Sequence, residues 1–387
     1  MHYSQEALAA KDSKIRQISA LAEQVDKPYK LWFGESDQST PEFICRAAYE
    51  AALAGHTFYT PTAGVMPLRE AIAKKFHEVH GIEYKPTEVM CSGGGVGAIF
   101  YSIRAHVSPG DNVLIMTPGW PVTSSIVAGL GGEAREIPMV ETKTGFALDI
   151  DRIRKAIDSR TRMLAMCSPS NPTGWVITRE EQKAVWALAV KHDFVILSDE
   201  VYDRIVFDGP CAPTFAEAAT DKDHLIVVNS FSKTYNMTGW RLGYALTSEN
   251  TVKLMAKIAE LVLGNPPAPI QHAAITALRD GEPYVKEIRE RYAQNRKLTL
   301  ERLQQMPNVW VPSVSGAFYA FPKIHGLRDS MEFAKKLLLE TRVGMAPGSA
   351  FGEAGEGYMR LCFATSESIL NPALDRFEDF IKRNVCD

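Results

Sequence analysis

Residues Ser230-Phe-Ser-Lys-Thr-Tyr-Asn-Met-Thr-Gly-Trp-Arg241 place a lysine, two serines and an arginine in one short segment. The run before it, His224-Leu-Ile-Val-Val-Asn229, is apolar and β-branched and reads as a buried strand; Arg241-Leu-Gly-Tyr-Ala-Leu246 begins another. Lys233 therefore stands where a core strand ends, not on a solvated helix face. Burial disfavours an ammonium, so the amine of such a lysine becomes available as a nucleophile toward a carbonyl. Ser230, Ser232 and Arg241 supply two hydroxyl donors and a planar cation, which suit a phosphate. An amine for an aldehyde beside a cradle for a phosphate points to pyridoxal 5′-phosphate (PLP). A single lysine in a Ser/Thr/Gly loop is more often a surface group, so the reading depends on what else the chain offers.

Four further features bear on it. Asp199 closes Phe194-Val-Ile-Leu-Ser198 and begins Asp-Glu-Val-Tyr202. A carboxylate there would keep a pyridine nitrogen protonated and strengthen the ring as an electron sink, and Tyr202 would donate to the ring's phenolic oxygen. Taken alone, Asp199 reads first as a helix cap. Ser170-Asn-Pro-Thr-Gly174 is by itself a common turn, but beside a PLP site the Asn171 amide would reach the same phenolic oxygen and share a substrate carboxylate. Cys91-Ser-Gly-Gly-Gly-Val-Gly-Ala-Ile99 lies between a strand and a helix, where glycines let backbone N–H groups approach an anion. Its spacing does not fit G-x-G-x-x-G, and no acidic residue closes a strand about 20 positions later, which argues against a dinucleotide loop. Trp120, in Pro118-Gly-Trp-Pro121, offers either a flat face for a pyridine ring or a core tryptophan. Finally, Arg360 interrupts the mostly apolar Tyr358-Met-Arg-Leu-Cys-Phe-Ala364. A buried guanidinium needs a carboxylate, from a structural salt bridge or from a substrate.

These residues must be positioned by a fold that the rest of the chain outlines. A chain of 387 residues suggests two or three units at roughly 100 to 200 residues each. A net charge of −3, from 43 basic and 46 acidic residues, gives no electrostatic case for nucleic acid or an anionic membrane. The six cysteines lack a C-x-x-C pair, so reduced thiols and a cytoplasmic location are expected. The first residues show no secretory pattern, no apolar run approaches the roughly 18 residues of a membrane span, and the nine histidines lack metal-ligand spacing. From 43 to 278, helical stretches alternate with apolar strands at 88–91, 112–116, 162–167, 194–198, 224–229 and 241–246. That alternation predicts an α/β domain with a mainly parallel sheet and ligands at the carboxyl ends of its strands. Residues 279–387 read as a smaller α+β domain, with strands near 309–311, 316–321 and 359–363 and a helix over 331–340. The segment 1–42 is expected to join it, with Pro41 at the boundary.

In order and spacing these segments resemble the fold-type-I PLP enzymes, specifically the class I aminotransferases of the aspartate, aromatic and alanine group. The resemblance runs from Phe33-Gly-Glu-Ser-Asp-Gln-Ser-Thr-Pro41 to Arg360. It implies a large domain whose mainly parallel, seven-stranded sheet is sandwiched by helices. It makes Lys233 the Schiff-base lysine and general acid/base, Asp199 the pyridinium partner, and Asn171 and Tyr202 the partners of the phenolic oxygen, with Trp120 over the ring. Phosphate contacts would come from the backbone at Gly95 and Val96 and from Ser230, Ser232 and Arg241. Tyr59, in Phe58-Tyr-Thr-Pro-Thr-Ala-Gly64, matches a tyrosine that the family supplies from a neighbouring subunit, which implies a homodimer with shared sites.

Arg360 and the Gly34 backbone match the clamp for the substrate α-carboxylate. The implied reaction is ping-pong: an L-amino acid leaves as its 2-oxo acid, and a second 2-oxo acid takes up the amino group. In some aspartate-specific relatives a lysine after the phosphate-loop glycines grips the distal carboxylate. Val96 occupies that position here, and Ser13-Lys-Ile-Arg16 gives no clear second cation, so a neutral or aromatic donor stands beside aspartate as an expectation. A PLP-dependent carbon–sulfur β-lyase uses the same lysine, aspartate, tyrosine and arginine and is the alternative. A PLP-sensing regulator is more remote, because 1–42 is short for a typical DNA-binding domain of about 50 residues.

Overall fold

The computed structural model describes residues 2–3 and 12–385. Its central sheet is built from strands whose residues are buried on both faces. In Asn112–Thr117, Val113 and Ile115 enter one apolar core while Leu114 and Met116 enter another. Such two-sided burial is what turns a strand into a continuous apolar run in sequence. The sheet comprises β1 (Val89–Ser92), β2 (Asn112–Thr117), β3 (Glu133–Pro138), β4 (Thr161–Cys167), β5 (Val195–Asp199), β6 (Leu225–Ser230) and β7 (Gly243–Leu246). Their spatial order is β1-β7-β6-β5-β4-β2-β3. The fold is the expected α/β arrangement with a seven-stranded, mainly parallel sheet.

β7 runs antiparallel to both of its neighbours, β1 and β6, and the remaining pairs are parallel. Two reversals cancel, so β1 points the same way as β6. Its carboxyl end, and the helix α1 (Gly94–His106) that follows, therefore arrive at the same edge as the ends of β2, β4, β5 and β6. α1 and the helix Glu249–Glu260 cover one face of the sheet; Met66–His80, Arg179–His192 and Ala268–Asp280 cover the other.

Two strand expectations need correction. β3 was absent from the sequence reading because Glu133-Ala-Arg-Glu-Ile-Pro138 lies at the sheet edge and buries only Ile137, which leaves no apolar run to see. The strand expected from 241 starts at Gly243, because Arg241 takes the left-handed conformation, with φ +55, at the end of a short 3-10 turn.

A third apolar core combines Ile15, Ile18, Leu31 and Trp32 with Phe318, Tyr319, Phe321, Leu361, Leu370 and Phe377, and Tyr202 reaches into it from the loop after β5. Here β8 (Tyr319–Ala320), β9 (Ala346–Pro347) and β10 (Met359–Cys362) form an antiparallel sheet in the order β8-β10-β9. The strand expected over 316–321 is thus only two residues long, and the expected helix over 331–340 spans Ser330–Thr341.

Where β7 passes the start of α1, no side chain fits. A Cβ at Gly243 would lie 2.5 Å from both the Gly94 carbonyl carbon and the Gly95 amide nitrogen, and 2.9 Å from the Asn229 carbonyl oxygen. All three neighbours are backbone and cannot rotate away. Gly243→Ala should therefore cost about 1–3 kcal/mol, the usual range for overpacking, read as a lowered urea midpoint at constant m-value. A midpoint equal to that of the parent protein would refute this close approach.

Candidate active site

The shared carboxyl edge of the sheet opens into a cavity of about 500 Å³. Gly34, Gly95, Val96, Trp120, Asn171, Asp199, Tyr202, Ser230, Ser232, Lys233, Arg241 and Arg360 all line it. One residue expected at the site does not: Tyr59 is 99% exposed on the surface.

Lys233 is held there by local geometry. β6 ends at Ser230, whose hydroxyl caps the single-turn helix α2 (Phe231–Thr234) by accepting from the Ser232 amide at 3.1 Å. The turn aims the lysine across the cavity, where Nζ donates to the Gly34 carbonyl at 2.5 Å. Burial, more than any other influence, lowers its pKa to about 8, and the Arg360 cation adds to the effect. Asp199 shows the converse. Burial raises its carboxyl to about 6, against the opposing pull of the Val201 amide, 3.3 Å away, and of the Lys233 charge.

The anion-binding end forms where α1 starts. Ser230 Oγ donates to Ser232 Oγ at 2.9 Å, and Arg241 Nη1 donates to the Thr238 carbonyl at 2.8 Å. The Arg241 guanidinium lies across the first turn of α1: a Cβ at Gly94, where φ is +78, would sit 2.4 Å from Nη2. Glycine at that position admits both the left-handed backbone and the cation. Opposite, Arg360 is only 2% exposed. Its Nη1 donates to Asn171 Oδ1 at 2.9 Å, Nη2 donates to the Trp32 carbonyl, and Nε has no partner. No carboxylate pairs with it among the described residues, so the structural salt bridge considered from sequence is not found there.

Tyr202 Oη lies 2.7 Å from Tyr319 Oη. Tyr319 was missed by the sequence reading, as were Cys167, Glu35 and Thr238, which also line the cavity. The available signal for Tyr319 was a phenol inside the apolar run Gly316-Ala-Phe-Tyr-Ala-Phe321, since a buried tyrosine hydroxyl needs a partner. What connects it to the site is its register opposite Cys362, which sequence does not display. The N-terminal Ser13, Ile15 and Arg16 also reach the cavity, so the segment in which the sequence showed no clear second cation places Arg16 on the lining.

An amine poised near neutrality and a cation without a counter-ion among the described residues face one cavity, an arrangement chemically able to receive small carboxylate-bearing amines and carbonyl compounds. Such a site at the strand ends of a parallel sheet defines an α/β enzyme. The family model for aminotransferase class I and II matches residues 29–377. The aromatic-amino-acid aminotransferase 2 of Thermococcus litoralis is 38% identical over 377 residues, covering 96% of each chain. The aspartate aminotransferase of Pyrococcus abyssi is 37% identical over 377 residues, with the same coverage. Among solved structures, the aromatic aminotransferase from Pyrococcus horikoshii matches with a TM-score of 0.89 at 38% identity, over 95% of this chain and 99% of that one. The chain belongs to the class I and II aminotransferase family and is an enzyme of amino-group transfer. These relatives favour that activity over the β-lyase and regulator readings.

The lowered pKa of Lys233 has a direct chemical readout. Below pH 8 the ammonium predominates and cannot attack a carbonyl; above it the free amine can. In the chain without added cofactor, reductive alkylation of Lys233 by a small aldehyde, followed by mass spectrometry, should rise with pH and reach its half-maximum near 8. A midpoint at the ordinary lysine value of about 10.4 would remove the proposed effect of burial.

Proposed function

We propose that this cavity binds PLP and that the enzyme moves the amino group of an L-amino acid to a 2-oxo acid in two half-reactions. The observation that carries the reading is the convergence of Lys233, Asp199 and the unpaired Arg360 on one cavity. The residues present suit the cofactor. The first turn of α1 at Gly95 and Val96, with Ser230, Ser232 and Arg241, offers N–H, hydroxyl and guanidinium donors to a phosphate. Asp199 has no ion pair among the described residues, so a protonated ring nitrogen would give this buried carboxyl the cationic partner it lacks.

When bound, PLP supplies the electron sink for the pair released as the substrate's Cα–H bond breaks. Lys233, poised near neutrality, takes that proton and returns it. Arg360 grips the substrate α-carboxylate with the Gly34 backbone beside it. Asn171 spends its carbonyl oxygen on Arg360 and keeps its amide nitrogen for the carboxylate and the ring oxygen. Tyr202 would donate to that same ring oxygen, and Trp120 would offer its face to the ring. Ile15, Phe33, Val96 and Val122 give the cavity an apolar wall that suits a neutral or aromatic donor, while Arg16 on the same lining is a cation within reach of a dicarboxylate.

Tyr59, Phe58, Leu261 and Val262 are 99%, 81%, 87% and 61% exposed, and Thr62 ties the two segments by donating to Glu260 at 2.7 Å. This exposed apolar surface supports a homodimer in which a second copy covers it and Tyr59 completes the partner's phosphate cradle. All five described cysteines are free, which supports a reducing, cytoplasmic setting. Among the described residues, no helix is long and apolar enough to cross a membrane.

With PLP and a panel of amino donors, the enzyme should convert 2-oxoglutarate to glutamate, fastest with neutral or aromatic donors. Release of pyruvate and ammonia without an acceptor would overturn the transferase reading. Arg360→Lys should raise KM for the amino donor about 10- to 100-fold, the scale of a lost charge-assisted hydrogen bond, with a smaller change in kcat. An unchanged KM would refute the carboxylate clamp.

A further inference from the structure

The Tyr202–Tyr319 contact lies between the two halves of the site. Both phenols are buried, at 3% and 0% exposure, and burial raises both pKa values, so each hydroxyl keeps its proton. With the oxygens 2.7 Å apart, one hydroxyl donates to the other, and the second proton must find a different acceptor. Among the described residues, the Tyr319 hydroxyl hydrogen-bonds to Tyr202 alone.

Its approach is tightly walled: a Cβ at Gly34 would lie 2.0 Å from Tyr319 Oη. Glycine at 34 is therefore what lets this hydroxyl reach Tyr202. The same ring lies beneath the Arg360 guanidinium, 4.6 Å from centroid to Cζ, and meets the Tyr202 ring edge-on at 5.7 Å. One side chain thus touches the tyrosine at the cofactor end and the arginine at the carboxylate end.

We propose that Tyr319 is a positioning residue that donates its proton to the Tyr202 oxygen, leaving the Tyr202 proton to point into the cavity at the phenolic oxygen of the cofactor. The inference rests on the PLP reading above. A hydroxyl that accepts one hydrogen bond donates a stronger one, so Tyr319 acts through Tyr202. A donor at the phenolic oxygen stabilises its deprotonated form, so weakening that donor raises the pH at which the bound cofactor takes up a proton.

The test is the visible pH titration of the PLP-loaded protein. Tyr319→Phe removes the hydroxyl and keeps the ring under Arg360. Its midpoint should move upward by on the order of 0.5 pH unit, as expected for one neutral hydrogen bond acting at one remove. Tyr202→Phe should shift the midpoint further, and the double variant should match Tyr202→Phe, because among the described residues the Tyr319 hydroxyl hydrogen-bonds to Tyr202 alone. KM for the amino donor should stay unchanged in Tyr319→Phe, since the ring that supports Arg360 is retained. Gly34→Ala, which pushes a methyl group against the Tyr319 hydroxyl, should also raise the midpoint and serves if Tyr319→Phe does not fold. An unchanged midpoint in Tyr319→Phe, or a double variant whose shift is the sum of the two, overturns the inference while the PLP reading stands. A parent protein that binds PLP without any visible band removes both.

Discussion

Arg360 is buried without a carboxylate among the described residues, and much of the site is arranged around the cost of keeping it so. An unpaired interior charge is tolerated only when hydrogen bonds and polarisable neighbours replace its water. Here the replacements come from distant parts of the chain: Asn171 after β4, the Trp32 carbonyl in the N-terminal segment, and the rings of Tyr319 on β8 and Phe351 near β9. Nε is left open among the described residues. The guanidinium therefore ties the third apolar core to the edge of the large sheet and keeps one donor open, the one the proposed site offers to a carboxylate.

The same exclusion of water sets the proton chemistry. Desolvation lowers Lys233 to about 8 and raises Asp199 to about 6, so both groups approach neutrality from opposite sides. Their mutual attraction favours the charged form of each and so opposes both shifts, but burial dominates. Arg360 adds to the lowering at Lys233, which couples carboxylate recognition to the amine. In the proposed site, the cation that would hold the substrate carboxylate thus also lowers the pKa of the amine that would act on it. A more polar cavity would move Lys233 up and Asp199 down, each back toward its ordinary range.

What sequence revealed, and what it hid, follows from how local each signal is. Asp199, Ser230 and Lys233 stand directly at the ends of strands buried on both faces, and those strands announce themselves as apolar runs. Asn171 and the glycines before Val96 lie in turns whose residue types reflect backbone demands, including φ +78 at Gly94 and φ +71 at Gly174. β3 was hidden because an edge strand exposes most of its side chains. Tyr319 was hidden because its importance depends on pairing with a strand some forty residues away, at Cys362, and on a gap at Gly34 still further off. Tyr59 is visible only as an exposed aromatic residue in a single chain, since its expected place belongs to an assembly.

This division has a consequence for specificity. The residues that face the expected cofactor, Gly95 through Arg241, belong to the large sheet and its turns, where fold and function impose the same residues. The walls that would meet a substrate side chain, Ile15, Phe33, Val96 and Val122, come from four separate segments, two of them N-terminal to the sheet. Ile15 packs in the third apolar core with the elements that carry Arg360, not with the strands that carry Lys233. The N-terminal helix Lys14–Ala22 can therefore be altered, by substitutions at the cavity surface, with little effect on the lysine, its carboxylate partner or the anion cradle.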